Sequence, residues 1–139
     1  MPAKALGKKD FETLSEFRYR LRRFLRFSEQ VTRKNGITPL QYLLLMHIKG
    51  FPGREWATVG ELAERLQAQH HGVVALISRC EKLGWVERRQ DQADRREVTV
   101  HLTPDGQFMA EKMVRLHRDE LLSPAISALV PDLRNLHGD

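Results

Sequence analysis

Residues 58–85 read TVGELAERLQAQHHGVVALISRCEKLGW, and this stretch decides the fold. It opens on Thr58-Val59-Gly60-Glu61, a capping box. In such a box the threonine hydroxyl takes the N–H three residues on, and the glutamate reaches back to the threonine N–H. Val59, Leu62, Ala63 and Leu66 then recur at helical spacing, so a short helix turns one apolar face inward. Gln67-Ala68 reads as a brief turn. A second helix is predicted over 69–83, with Val73, Leu76, Ile77 and Cys80 facing inward and Gly84 ending it. Two short helices on a tight turn make a helix-turn-helix.

The chain on either side completes the architecture. Downstream, Trp85-Val86-Glu87-Arg88-Arg89 is followed by a polar run from Gln90 to Arg96, and Glu97–Leu102 alternates polar with apolar residues. That period of two predicts a half-buried strand, so 86–102 reads as a β-hairpin with a charged tip, a wing. Thr103-Pro104 opens a helix to about Leu121, and Ser123-Pro124 begins a last short helical segment that Pro131 interrupts. Upstream, Phe51–Trp56 reads as a loop, and Thr38-Pro39-Leu40-Gln41 caps a largely apolar helix that runs to Lys49, with Gly50 expected in the left-handed conformation. Before the break at Asn35-Gly36, the apolar positions Phe11, Leu14, Phe17, Leu21, Phe24, Leu25 and Val31 mark a long amphipathic helix. The fold class is mainly α (α+β), a winged helix-turn-helix in one domain, 1–139, with the DNA-binding lobe at 38–103. The helices at 10–34 and 104–137 have too few partners in one small chain and are read as dimerisation helices.

Composition narrows the partners. The chain has 139 residues, 41% of them hydrophobic, which is enough for a continuous core. Its 23 Lys and Arg against 18 Asp and Glu leave a net charge of +5, which favours a polyanionic partner. Residues 1–34 alone hold ten basic and four acidic side chains. The single cysteine excludes an internal disulfide and a multi-cysteine metal site. No apolar run approaches the roughly 20 residues that cross a bilayer, and residues 1–9 do not read as a secretory signal, so no membrane role and a cytoplasmic location are expected.

A helix fits the major groove of duplex DNA, where each base pair presents its own donor and acceptor pattern. The helix at 58–66 would brace the helix at 69–83 across the backbone. The outward residues Gln69, His70, His71, Gly72, Val74, Ala75 and Arg79 would then face the groove. Gln69 can bond adenine through both amide atoms, and Gly72 lets the main chain approach phosphate. In the wing, Arg88 and Arg89 on the incoming strand and Arg95 and Arg96 at the tip suit the narrow minor groove and its negative potential. Asp94 would be repelled by phosphate, so its expected role is internal, holding an arginine such as Arg79 and keeping the wing docked.

The strings Val59–Leu66, Val73–Arg88 and Asp91–Arg96, with Leu102-Thr103-Pro104-Asp105-Gly106 after them, resemble the multiple-antibiotic-resistance regulator (MarR) family. The resemblance extends over nearly the whole chain. It implies an obligate homodimer built on the terminal helices, a pseudo-palindromic double-stranded operator, and release of DNA when a small aromatic, phenolic or acidic effector binds between the dimer helices and the DNA-binding lobe. Some members of that family instead respond to oxidants through cysteine. This chain departs from the family's pattern at His70-His71-Gly72, where small hydroxyl residues are usual, at Ala75, at Gln92, and in a longer loop at 51–57.

Other chemistries find little footing. Adjacent His70 and His71 point about 100° apart on a helix and do not share a metal readily. Cys80 falls on the inward face, where a thiol packs as a small apolar group. Trp56 and Tyr42 are read as core or loop anchors rather than as pocket walls. No nucleophile–base pair or phosphate-binding glycine loop is present, so neither catalysis nor a cofactor is expected. The alternative to a DNA-binding regulator, and most simply a repressor, is a winged-helix protein-interaction module.

Overall fold

A computed structural model of the chain describes residues 5–90, 93 and 96–124. The elements run α1 (Lys8–Lys34), α2 (Pro39–Lys49), β1 (Trp56–Thr58), α3 (Val59–Leu66), α4 (His70–Lys82), β2 (Val86–Gln90), β3 (Val98–Leu102) and α5 (Pro104–Leu121). Residues 125–137, the rest of the expected C-terminal dimerisation segment, lie outside the described residues.

Local chemistry sets the helix starts. Thr38 Oγ1 accepts from the Gln41 N–H at 3.1 Å while Gln41 Oε1 accepts from the Thr38 N–H at 3.0 Å. Thr58 and Glu61 repeat the box at 3.2 and 2.9 Å, and Thr103 caps α5 by accepting from the Gly106 N–H at 3.0 Å. Caps of this kind are each worth about 1 kcal/mol, and they fix where the short helices begin. At the other end of α2, Gly50 has φ −93°, so the expected left-handed cap is not used there.

Helix α2 lies at the centre. Its Leu44, Leu45 and Ile48 are wholly sealed, and they pack with Leu62 of α3, Ile77 of α4, Val100 of β3 and Met113 of α5. Each such side chain contributes roughly 1.5–3 kcal/mol by leaving water, so the inward stripe of α4 is what anchors that helix. Two glycines have specific tasks where α4 meets the sheet and α5. Gly84, at φ +81°, turns the chain from α4 into β2, and Gly106 lies so close to the Trp85 carbonyl that a Cβ there would sit 1.9 Å from its oxygen.

The sheet has three strands, not the two of the expected hairpin, in the antiparallel order β1-β3-β2. The end of the predicted loop at 51–56 becomes β1, which places Ala57 opposite Val100 and Trp56 opposite His101. Three residues are too few to display a period of two, and Pro52-Gly53 just before them signals a turn. Among the described residues, no helix is long and apolar enough to cross a membrane.

Candidate nucleic-acid interface

The turn between α3 and α4 depends on Gln67, whose left-handed backbone (φ 50°, ψ 49°) reverses the chain within three residues. Gln69 then serves as the N-cap of α4, but its side chain makes no capping bond and remains available to an external partner. The first turn of α4 carries His70 and His71 and no acidic residue, so the positive end of the helix dipole is unopposed there.

Burial divides α4 cleanly. Val73, Ile77 and Cys80 are buried, whereas Gln69, His70, His71, Gly72, Val74, Ala75 and Arg79 are all exposed. A Cβ added to Gly72 would meet nothing within 4 Å, so no packing demand of the chain itself calls for glycine at that position. A groove of about 560 Å³ runs between the start of α3, this face of α4 and the wing, and Thr58, Gly60, His70, Val74, Arg88 and Arg96 line it.

The wing arginines divide by task. Arg89 is exposed on β2, with its Nε 2.7 Å from Glu87 Oε1, and Arg96 is exposed at the base of the tip. Arg88, expected at the DNA, directs its guanidinium onto α4. Its Nη2 donates to Ser78 Oγ at 2.6 Å and to the Val74 carbonyl at 3.2 Å, and its Nη1 donates to Glu81 at 3.3 Å. The Arg88 N–H also donates to Glu81 Oε2 at 3.1 Å. Among the described residues this clasp ties β2 to α4, a docking task that the sequence reading gave to Asp94 and Arg79. Asp94 and Arg95 lie outside the described residues. The signal for the clasp was a glutamate and an arginine flanking the Gly84 turn seven residues apart, with the turn bringing them face to face.

A second anchor holds α3. The Arg54 guanidinium is sandwiched between the rings of Phe51 (4.2 Å) and Trp56 (4.0 Å) and pairs with Glu61. Burial by itself would raise the Glu61 carboxyl, but hydrogen bonds from Thr58 and Arg54 and the arginine's charge hold it below the usual carboxylate range. The long loop at 51–57 thus anchors the helix that supports α4.

A sequence model described as "MarR family" matches residues 35–97, from the end of α1 through the wing tip. That region of the chain is similar to the MarR family. Among curated relatives, the uncharacterized HTH-type transcriptional regulator YsmB of Bacillus subtilis is 29% identical over 98 residues, covering 66% of this chain and 61% of that protein. The chain spans between about half and three-fifths of the length of the first relatives it matches. The fold is shared with AbsC, a MarR family transcriptional regulator from Streptomyces coelicolor, at 21% identity and a TM-score of 0.70 over 95% of this chain and 94% of the other. It is also shared with a mutant MarR of Escherichia coli complexed with operator DNA, at 24% identity and a TM-score of 0.68 over 83% and 80% of the two chains.

Proposed function

We propose that this protein is a sequence-specific transcriptional regulator, most simply a repressor, that binds double-stranded DNA as a homodimer in the cytoplasm and acts by binding rather than catalysis. The observation that carries this reading is the exposed face of α4. Every side chain that groove recognition would use points outward, on a helix whose opposite face is locked into the core. Gln69, His71 and Ala75 would read bases, His70, Gly72 and Val74 would approach backbone and thymine methyls, and Arg79 would reach phosphate. Arg89, Arg95 and Arg96 would serve the neighbouring minor groove.

Dimerisation is supported by apolar side chains that the monomer leaves in water. Phe11 is 59% and Leu122 72% exposed, and Leu6, Leu14 and Phe108 are exposed with them, on α1 and α5 or just beyond their ends. Two copies related by a twofold axis would cover these residues and set two α4 helices about one turn of DNA apart. A small aromatic effector bound between α1, α2 and α5 would shift that spacing.

Selection of bound sequences from random duplex DNA, followed by gel shifts over a salt series, tests the proposal. The expected product is an inverted repeat with half-sites about 10 base pairs apart and an affinity that falls steeply with salt. Gln69→Ala or His71→Ala should alter the selected sequence. A chain that stays monomeric and ignores every duplex at low ionic strength would instead be a protein-interaction module.

A further inference from the structure

Between α1, α2 and α5 lies a cavity of about 450 Å³, large enough for a fused bicyclic ring, with Phe24, Leu25, Leu43, Met46 and Leu121 among its apolar walls. Its polar groups are Ser28, Glu29, Tyr42 and His117. The His117 ring is buried and stacks on Tyr42, with centroids 4.2 Å apart and planes 10° from parallel. Its Nδ1 lies 2.7 Å from the Met113 carbonyl, which can only accept, so the proton sits on Nδ1. Nε2 lies 2.8 Å from Ser28 Oγ. Both ring nitrogens are therefore occupied within the fold.

The Tyr42 hydroxyl is less well provided for. Tyr42 is 5% exposed, and its O–H donates to Met46 Sδ at 3.3 Å, a thioether and a weak acceptor. Among the described residues no donor reaches its oxygen, and Tyr42 is one of the residues that line the cavity. Glu29 supplies the only formal charge among the lining residues, and no ion pair reaches its carboxylate among the described residues. The cavity thus offers aromatic walls, hydroxyl lone pairs and one carboxylate, and no lysine or arginine.

We propose that this pocket selects planar aromatic cations, of the amidinium or arylammonium kind, over the aromatic acids that its fold would suggest. The inference rests on the effector reading above and fixes the ligand's charge. A flat ring would lie along the apolar wall of Phe24, Leu25, Leu43 and Met46, beside the edge of the Tyr42–His117 stack. The cation donates to Tyr42 Oη and lies toward Glu29 at the mouth. A carboxylate in the same pose would face Glu29 and find no positive partner. The wider field of α1 is basic and favours an anion, so the local arrangement and the general field predict opposite rankings.

Calorimetric titration of the full chain, without DNA, compares three near-isosteric probes: 2-naphthamidine, 2-naphthamide and 2-naphthoate. The amidine is expected to bind about fivefold or more tightly than the amide, and the carboxylate most weakly. Glu29→Gln should bring amidine and amide within about twofold of each other, and Tyr42→Phe should weaken both about threefold. A carboxylate that binds as well as the amidine overturns the proposal, as does an amidine that ignores both substitutions or a series in which none binds. A parallel gel shift separates the two readings. Loss of all DNA binding with the ranking intact removes the regulator and keeps the pocket, whereas a reversed ranking with DNA binding intact removes the pocket's selectivity alone.

Discussion

Arg88 on the first wing strand grips Glu81 near the end of α4 twice, through its backbone N–H at 3.1 Å and its guanidinium at 3.3 Å. The same guanidinium reaches back along α4 to Ser78 and the Val74 carbonyl, so one side chain spans two turns of the helix. The wing and the reading helix would therefore meet DNA as one body, joined by this clasp as well as by the packing of Val86 in the core with Ile77 and Cys80.

That arrangement separates positioning from contact. Arg88→Ala should weaken operator binding about tenfold while leaving the slope of log K against log salt as in the wild type, because no phosphate contact is lost. Glu81→Gln should move affinity in the same direction. Arg89→Ala or Arg96→Ala, if those groups lie on phosphates, should instead lower the slope by about 0.9 each. Gel shifts between 50 and 200 mM salt distinguish the two, and a slope change for Arg88→Ala would put its guanidinium on the DNA.

Gly72 should show opposite signs in stability and binding. Nothing crowds its missing side chain, and it sits in the first turn of α4, where alanine is the better helix former by about 0.5–1 kcal/mol. Gly72→Ala should thus raise the melting temperature by a few degrees. It should also cost about tenfold in operator affinity, since the added methyl would hold the backbone off the phosphate. A variant that is more stable and binds equally well would show that this turn does not touch DNA closely.

Much of this was legible in the sequence because the signals are local. Thr38-Pro39-Leu40-Gln41 and Thr58-Val59-Gly60-Glu61 carry their capping bonds within four residues, and the inward stripe of α4 is a repeat within one helix. Strand β1 was not legible, since Trp56-Ala57-Thr58 becomes a strand only when β3 lies beside it. The Arg88 clasp and the stacking of Arg54 between Phe51 and Trp56 need the turns around Gly84 and Gly53 to bring the partners together. The sequence pattern makes Tyr42 a core or loop anchor. It is a core residue whose ring edge also forms a cavity wall, a dual role that periodicity does not distinguish.

Cys80 should be inert in the native state. It is wholly buried on the inner face of α4, and burial pushes its thiol up to about 11. At pH 7 roughly one thiol in ten thousand would be ionised, too few for rapid attack on a peroxide. A disulfide reagent is expected to label it only in denaturant, and hydrogen peroxide should leave operator binding unchanged. A loss of binding under peroxide that Cys80→Val abolishes would make this residue a sensor after all.

The Arg54–Glu61 pair predicts how the support of α4 depends on pH. The folded carboxyl of Glu61 titrates below its ordinary value of 4.5, so the folded state binds that proton less readily than the unfolded chain does. The stabilisation is therefore fully present above pH 4.5 and is lost as pH falls through the lower folded value. Glu61→Gln keeps an oxygen for the Thr58 N–H and removes only the charge. For a pair whose side chains are about a quarter and a third exposed, the wild type should exceed this variant by about 1 kcal/mol at pH 7. The gap should narrow below pH 4.5 and close as pH falls through the lower folded value. Melting curves of the two proteins across that range are the measurement. A gap that stays constant throughout acidification would mean that the glutamate acts through shape alone and that Arg54 is held by its two aromatic rings.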